Sequence, residues 1–184
     1  IARMAVYLLS GALSWTARLV TVADDDAIDY TISADQVNVI RWMSAYKDLI
    51  IGTAGGEWTV KSDGPHLTPT DVDVKRQTAY GSTSVDPALM RGRLVYLQKA
   101  RRKILEFAYE LELDGFQSLD MTLLSDHVTK GGIESMAYQQ ELDSILWCVR
   151  SDGVLATFTY QPDQQVIGWS RQILGGSFGG GNAV

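Results

Sequence analysis

His127 stands beside Asp126 and Ser125, the three residue types of a nucleophilic hydrolase. That chemistry needs its groups brought together in space from separate elements, and three neighbours on one loop do not line up that way. The chain has no Gly-x-Ser-x-Gly elbow to expose a serine, so this run reads as surface loop. His66, next to Pro65, reads as part of a turn. Glu57 and Asp73 are residue types that can act as the acid and base of a glycosidase, but an acidic chain offers many such pairs. Asp24-Asp25-Asp26 lacks the glycine and distal glutamate of an EF-hand loop and reads as a solvated turn. Gly55-Gly56 and Gly175-Gly176 come without the lysine and helix of a phosphate loop. Cys148, the only cysteine, lies in an apolar run and reads as a small buried side chain. There is no cysteine/histidine cluster at zinc spacing. These residues assign no catalytic group, cofactor or metal.

One charge feature stands apart. Lys99, Arg101, Arg102 and Lys103 place four cations in five residues. They form a candidate loop for DNA phosphates or an acidic partner, and otherwise a solvated turn. The rest of the chain does not share that character: its 184 residues carry a net charge of −6, which argues against a general nucleic-acid or anionic-membrane binder. Apolar residues make up 46%, enough for a sizeable core. The chain begins at Ile1 and so reads as a fragment or a processed product. Met4 to Trp15 is apolar but too short, and too broken by Ser10-Gly11 and Ser14, to span a membrane. It reads as two strands around Ser10-Gly11 or as a short helix; a targeting segment is disfavoured because Thr21-Val22-Ala23 only approximates a cleavage site.

Strands must position the basic loop. Between Ile133 and Ile173 four β-prone runs are separated by polar connectors, with Asp152-Gly153 as a hairpin turn between the second and third. Val154, Ala156, Phe158 and Tyr160 share one face, opposite Leu155, Thr157 and Thr159. Earlier, Leu49 to Thr53 and Glu57 to Lys61 flank Gly55-Gly56, and Ser62 to Pro65 carries strong turn chemistry. Leu94 to Leu113 has helix-forming residue types, yet Leu105, Phe107, Tyr109, Leu111 and Leu113 alternate strictly with polar or small residues. The alternation predicts a strand over Leu94 to Gln98, a basic tip over Lys99 to Lys103 and a strand over Ile104 to Leu113. Hairpins thus recur at Leu49, Leu94 and Ile145, the spacing of propeller blades. Trp42, Trp58, Trp147 and Trp169 read as blade core at similar strand positions.

The expected fold is all-β, with antiparallel four-stranded meanders arranged as blades of a partial β-propeller or of part of a larger one. A single domain is expected over residues 1–176, with blade-like units at about 24–62, 66–113 and 116–174. Residues 1–23 add strands or a helix, and 177–184 form a flexible Gly-rich tail.

An ordered set of short motifs adds to this periodicity. It comprises Asp24 to Tyr30, Ser33 to Asn38, Ile40 to Trp42, Ile51 to Trp58, Leu67 to Thr70, Gln77 to Gly81, Glu106 to Tyr109, Ala137 to Gln140, Leu146 to Arg150 and Asp152-Gly153. Over about Asp24 to Gly176 it resembles proteins encoded in the structural gene clusters of tailed phages and prophages; Ile1 to Ala23 do not match. Such proteins are similar in architecture to the β-propeller nozzle and stabilisation proteins that close the tail tube of short-tailed phages. The resemblance implies a non-enzymatic virion component: a sixfold homo-oligomeric ring around the channel of packaged DNA, docking adaptor, fibre or needle proteins. It implies no cofactor, no catalytic residue and no membrane span, and members are several times longer than this chain. The alternative expectation is a free-standing propeller module binding glycans or proteins.

Overall fold

The structure, a computed structural model, describes residues 2–6, 23–32, 38–172, 177–178 and 181–182. It is all-β, with no α-helix among the described residues. β1 (Ala2–Val6) pairs antiparallel with β2 (Ile28–Ile32). Three four-stranded sheets follow. The first comprises β3 (Ile40–Ala45), β4 (Leu49–Thr53), β5 (Gly56–Lys61) and β6 (Asp73–Thr78). The second comprises β7 (Ala88–Met90), β8 (Arg93–Leu97), β9 (Ile104–Glu110) and β10 (Gly115–Asp120). The third comprises β11 (Ile133–Gln139), β12 (Ile145–Arg150), β13 (Leu155–Gln161) and β14 (Val166–Gln172). A short pair, β15 (Ser177–Phe178) and β16 (Gly181–Asn182), ends the described chain. Each four-stranded sheet is an antiparallel meander in chain order. The expected turn at Ser10-Gly11 lies outside the described residues.

The sheets stack face to face in sequence order. Leu94, Tyr96, Leu105 and Phe107 point from the second sheet into a core with Trp42 and Ile50 of the first. Val95, Leu97 and Ile104 point the other way, against Leu146, Cys148, Ala156 and Phe158 of the third. The middle sheet is therefore buried on both faces, which explains why β8 is the unbroken apolar run Leu94-Val95-Tyr96-Leu97. Each such side chain withdrawn from water contributes about 1.5–3 kcal/mol. The free face of the first sheet is covered by Ile32 of β2 and by Leu67 and Val72 of the β5–β6 loop. The stacking is also in register, with β6 beside β10 and β7 beside β11.

The strand expected over Leu94 to Gln98 is present. The one expected to run to Leu113 stops at Glu110, where Leu111–Leu113 form a 3-10 turn and Asp114 takes a left-handed conformation at φ 45°. The chain then reverses, and Phe116 stacks on Phe107 with centroids 4.7 Å apart. The sheets run 40–78, 88–120 and 133–172, and so are offset from units at 24–62, 66–113 and 116–174. Asp73–Thr78 closes the first sheet and Gly115–Asp120 closes the second. Turn residues at Ser62 to Pro65 and at Asp114-Gly115 lie inside sheets, as hairpin loops, and the crossovers are 79–87 and 121–132.

The tryptophans do not repeat one position: Trp42, Trp58, Trp147 and Trp169 sit on first, third, second and fourth strands. What repeats is the middle hairpin. Gly52 faces Glu57, Val95 faces Glu106 and Trp147 faces Thr157; one step on, Trp58, Phe107 and Phe158 occupy equivalent sites. Each of these three aromatic residues points toward the element that precedes its sheet.

Candidate functional site

The basic cluster lies where the sequence places it, at the turn between β8 and β9. Gln98 and Lys103 close the turn through Gln98 N–H to Lys103 C=O at 2.9 Å, and Arg101 at its apex is left-handed with φ 61°. Its neighbours are the two crossovers. Lys99 N–H donates to Gly81 C=O at 2.9 Å, and Ile133 N–H donates to Arg101 C=O at 2.8 Å. The tip is thus a joint joining all three sheets at one end of the stack. Gly81 fits there because its φ is 76° and its α-carbon lies against the Ala54 carbonyl, leaving no room for a side chain.

Three of the four cations are engaged by carboxylates of the second crossover and its flanks. Lys103 Nζ is 2.7 Å from Asp120 Oδ2, Arg102 Nη2 is 2.8 Å from Asp126 Oδ2, and Arg101 pairs with Glu134. Asp120 also accepts from the Thr122 amide at 2.9 Å and hydroxyl at 2.6 Å. Burial alone would raise the Asp120 carboxyl, but these hydrogen bonds outweigh it and hold its pKa below the usual range. The same contact raises the Lys103 ammonium above its ordinary value. Lys99 is exposed and makes no ion pair among the described residues. The cluster therefore works as a clamp on the loop 121–132 rather than as an open patch of four charges.

That loop is tightly held. Ser125 N–H and Val128 N–H donate to Thr122 and Ser125 carbonyls at 2.8 Å each, Trp169 Nε1 donates to Met121 C=O at 2.9 Å, and Val128 is buried. Arg150 Nη1 donates to Val128 C=O at 2.8 Å. At its crest Leu123 and Leu124 are 72% and 93% exposed.

Two buried carboxylates lie on the forward faces of the first two sheets, at equivalent register. Glu57 accepts from Ser82 Oγ at 2.8 Å and from the Thr78 hydroxyl. Glu106 accepts from Arg93 Nη1 at 2.7 Å and, across to the third sheet, from Tyr160 OH at 2.6 Å. Burial, then the bond to Glu106, pushes the Tyr160 hydroxyl well above its ordinary pKa. Each oxygen of both carboxylates thus meets one structural donor.

The candidate chemistry stays dispersed. His127 is exposed and Asp126 is engaged by Arg102. Glu57 and Asp73 lie toward opposite ends of the β5–β6 ladder, about 13 Å apart along the strands, beyond the reach of paired glycosidase carboxylates. Cys148 is buried, which pushes its thiol up to about 12. Among the described residues no group of three or more metal-ligating side chains gathers, and no helix is long and apolar enough to cross a membrane.

The structure also brings together groups too scattered to notice in the sequence. Lys47, Lys61 and Lys75 line a 240 Å³ groove at the opposite end of the first sheet, with Lys47 over the Tyr109 ring at 5.1 Å. Asp48 and Asp114 share that lining and offset its charge. A cleft of about 450 Å³ opens between β6 and β10 over Ala79, Tyr80 and Phe116. No protein-family model and no curated protein matches the chain.

Proposed function

We propose that the chain is a non-enzymatic scaffold component of a phage tail, with its stacked meanders acting as β-propeller blades in a ring at the end of the DNA channel. The observation that carries this reading is the in-register stacking of three four-stranded meanders, with the middle one buried on both faces. Blades of a propeller stack that way around an axis. The motif resemblance to tail-cluster proteins supplies the location. The structural donors that engage each oxygen of Glu57 and Glu106 fit a rigid scaffold, because a buried carboxylate without donors is strongly destabilising.

In this reading Arg101, Arg102 and Lys103 fix the joint end of the stack. Lys99, with the rim around it, contacts packaged DNA or a neighbouring tail protein. Adaptor, fibre or needle proteins dock on the loops, where sequence can vary without disturbing the sheets.

Mass spectrometry of purified virions, with antibody labelling of their tails, tests the reading. Stoichiometric recovery with label at the tail end is expected, and absence from intact particles overturns it. A monomer with specific glycan-array binding would favour a free-standing binding module instead. Charge neutralisation at Lys99 alone is expected to weaken DNA retention more than neutralisation at Arg102, and equal or absent effects would remove DNA contact from the tip.

A further inference from the structure

Arg101 and Arg102 are paired in a way that leaves much of each guanidinium unused. Arg101 meets Glu134 through Nη1 alone, and Arg102 meets Asp126 through Nη2 alone at 2.8 Å. Nε and Nη2 lie on one edge of a guanidinium, the edge that a two-oxygen anion takes side-on. In Arg102 that Nε is buried and has no hydrogen-bond partner, so Asp126 fills half of the fork. The four side chains are 41–60% exposed, and ion pairs this open to water are weak. Lys103 differs, because its partner Asp120 is 20% exposed and is tied to Thr122 as well. Two of the three pairs are therefore easily exchanged, and the third is not.

We propose that Asp126 and Glu134 stand in for phosphate, and that the tip is a nucleic-acid backbone site closed by its own crossover loop. Phosphate oxygens displace the two carboxylates, bind both donors once Arg102 turns that edge to solvent, and join Arg101 to the open Lys99. Only side chains need move. The loop backbone stays held by Lys103 on Asp120, by Trp169 on the Met121 carbonyl and by Arg150 on the Val128 carbonyl. The turn that carries the cations stays fixed too, through Lys99 N–H on the Gly81 carbonyl and Ile133 N–H on the Arg101 carbonyl. A double-stranded backbone presents one charge per about 1.7 Å, so three cations on one turn find several phosphates within reach.

Affinity at such a site is set by competition inside the chain. Among the described residues Lys99 alone of the four cations has no carboxylate to give up, so it remains the largest single contributor. Arg101 and Arg102 trade a weak partner for a better one, and the release of counterions from the nucleic acid drives the exchange. The inference rests on the proposed DNA-facing role of the tip for its occupant, whereas the exchange is a property of the purified chain.

Binding of a double-stranded oligonucleotide to the full chain, measured against salt, tests it. Asp126→Asn with Glu134→Gln keeps the side-chain shapes and removes the competing charges. This variant is expected to bind about ten-fold more tightly, with a melting temperature close to that of the unaltered protein. Glu112→Gln with Glu141→Gln removes the same charge at the other end of the sheets, where screening holds its gain below about two-fold. Adding Arg101→Gln and Arg102→Gln to the first variant is expected to cancel its gain. The same addition is expected to flatten the slope of log affinity against log salt by about 1.8, the value of two phosphate contacts. A gain no larger than the Glu112 and Glu141 control, a gain that survives loss of both arginines, or no binding at low salt overturns the proposal. Polyglutamate bound as tightly as DNA would overturn the assignment to phosphate. A virion protein that fails this test keeps its tail role and loses this contact. A protein absent from virions that passes it keeps the phosphate site and loses the tail role.

Discussion

Glu106 is a carboxylate with almost no access to water, and it ties an arginine of its own sheet to a tyrosine of the next. Glu106→Leu leaves Arg93 and Tyr160 without their acceptor. Because Arg93 is partly exposed and can rehydrate, the expected loss is about 2 kcal/mol, below the 3–5 kcal/mol of a fully buried pair. Tyr160→Phe is expected to lose about 1 kcal/mol, and the double variant less than the sum. Chemical denaturation of the three proteins checks this, and strict additivity would mean the groups do not interact. Gly52 is a second such point: the Trp42 indole lies directly over its α-carbon. Gly52→Val overpacks that site by about 3 kcal/mol, measured by the same method. Neither residue announces its role in the sequence. A glutamate in an alternating strand reads as a solvent-facing residue, and only the partner sheet, fifty-four residues on at Tyr160, shows otherwise.

Among the elements, the β8–β9 tip and the loop it clamps carry a pH dependence. Asp120 has a lowered pKa in the folded protein, so its contribution is present above the unfolded carboxylate value of about 4 and is lost as pH falls through the lowered one. Lys103 has a raised pKa, so its contribution persists at all pH below about 10 and fades only in strong alkali. Amide exchange over residues 121–128 is expected to accelerate relative to β12 as pH falls below about 4, and Asp120→Asn is expected to remove that change. Exchange that follows the intrinsic rate throughout would place the clamp elsewhere. The tip itself was legible from four cations between two alternating runs. Its carboxylate partners were not, because they lie 17, 24 and 33 residues away and nothing in a single sequence pairs them. The middle hairpins were equally legible from Gly-Gly and Asp-Gly turns. The grouping of strands into sheets was not, since Ser62 to Pro65 and Asp114-Gly115 have the same turn chemistry inside a sheet as between sheets.

At the scale of the molecule, the second sheet belongs to two cores at once, so neither core can be lost alone. Phe107→Ala is expected to destabilise the protein by about 3–5 kcal/mol and to leave a single transition, with circular dichroism and tryptophan fluorescence coincident. Two separated transitions would show that the sheets unfold independently. The all-β class and the meanders followed from period-two runs and turn residues. The stacking order followed from nothing local: Leu94 and Val95 are both apolar, and only packing decides that one faces backward and the other forward. That double-sided burial also has a consequence for synthesis. On the ribosome the second sheet is complete when Asp120 emerges, yet Val95, Leu97 and Ile104 have no cover until β12 and β13 follow. At 5–20 residues per second the forward face waits on the order of 2–10 s. During that interval the nascent chain presents a finished apolar sheet to solvent, so slower translation between Met121 and Gln161 is expected to raise the aggregated fraction and a holdase chaperone to lower it.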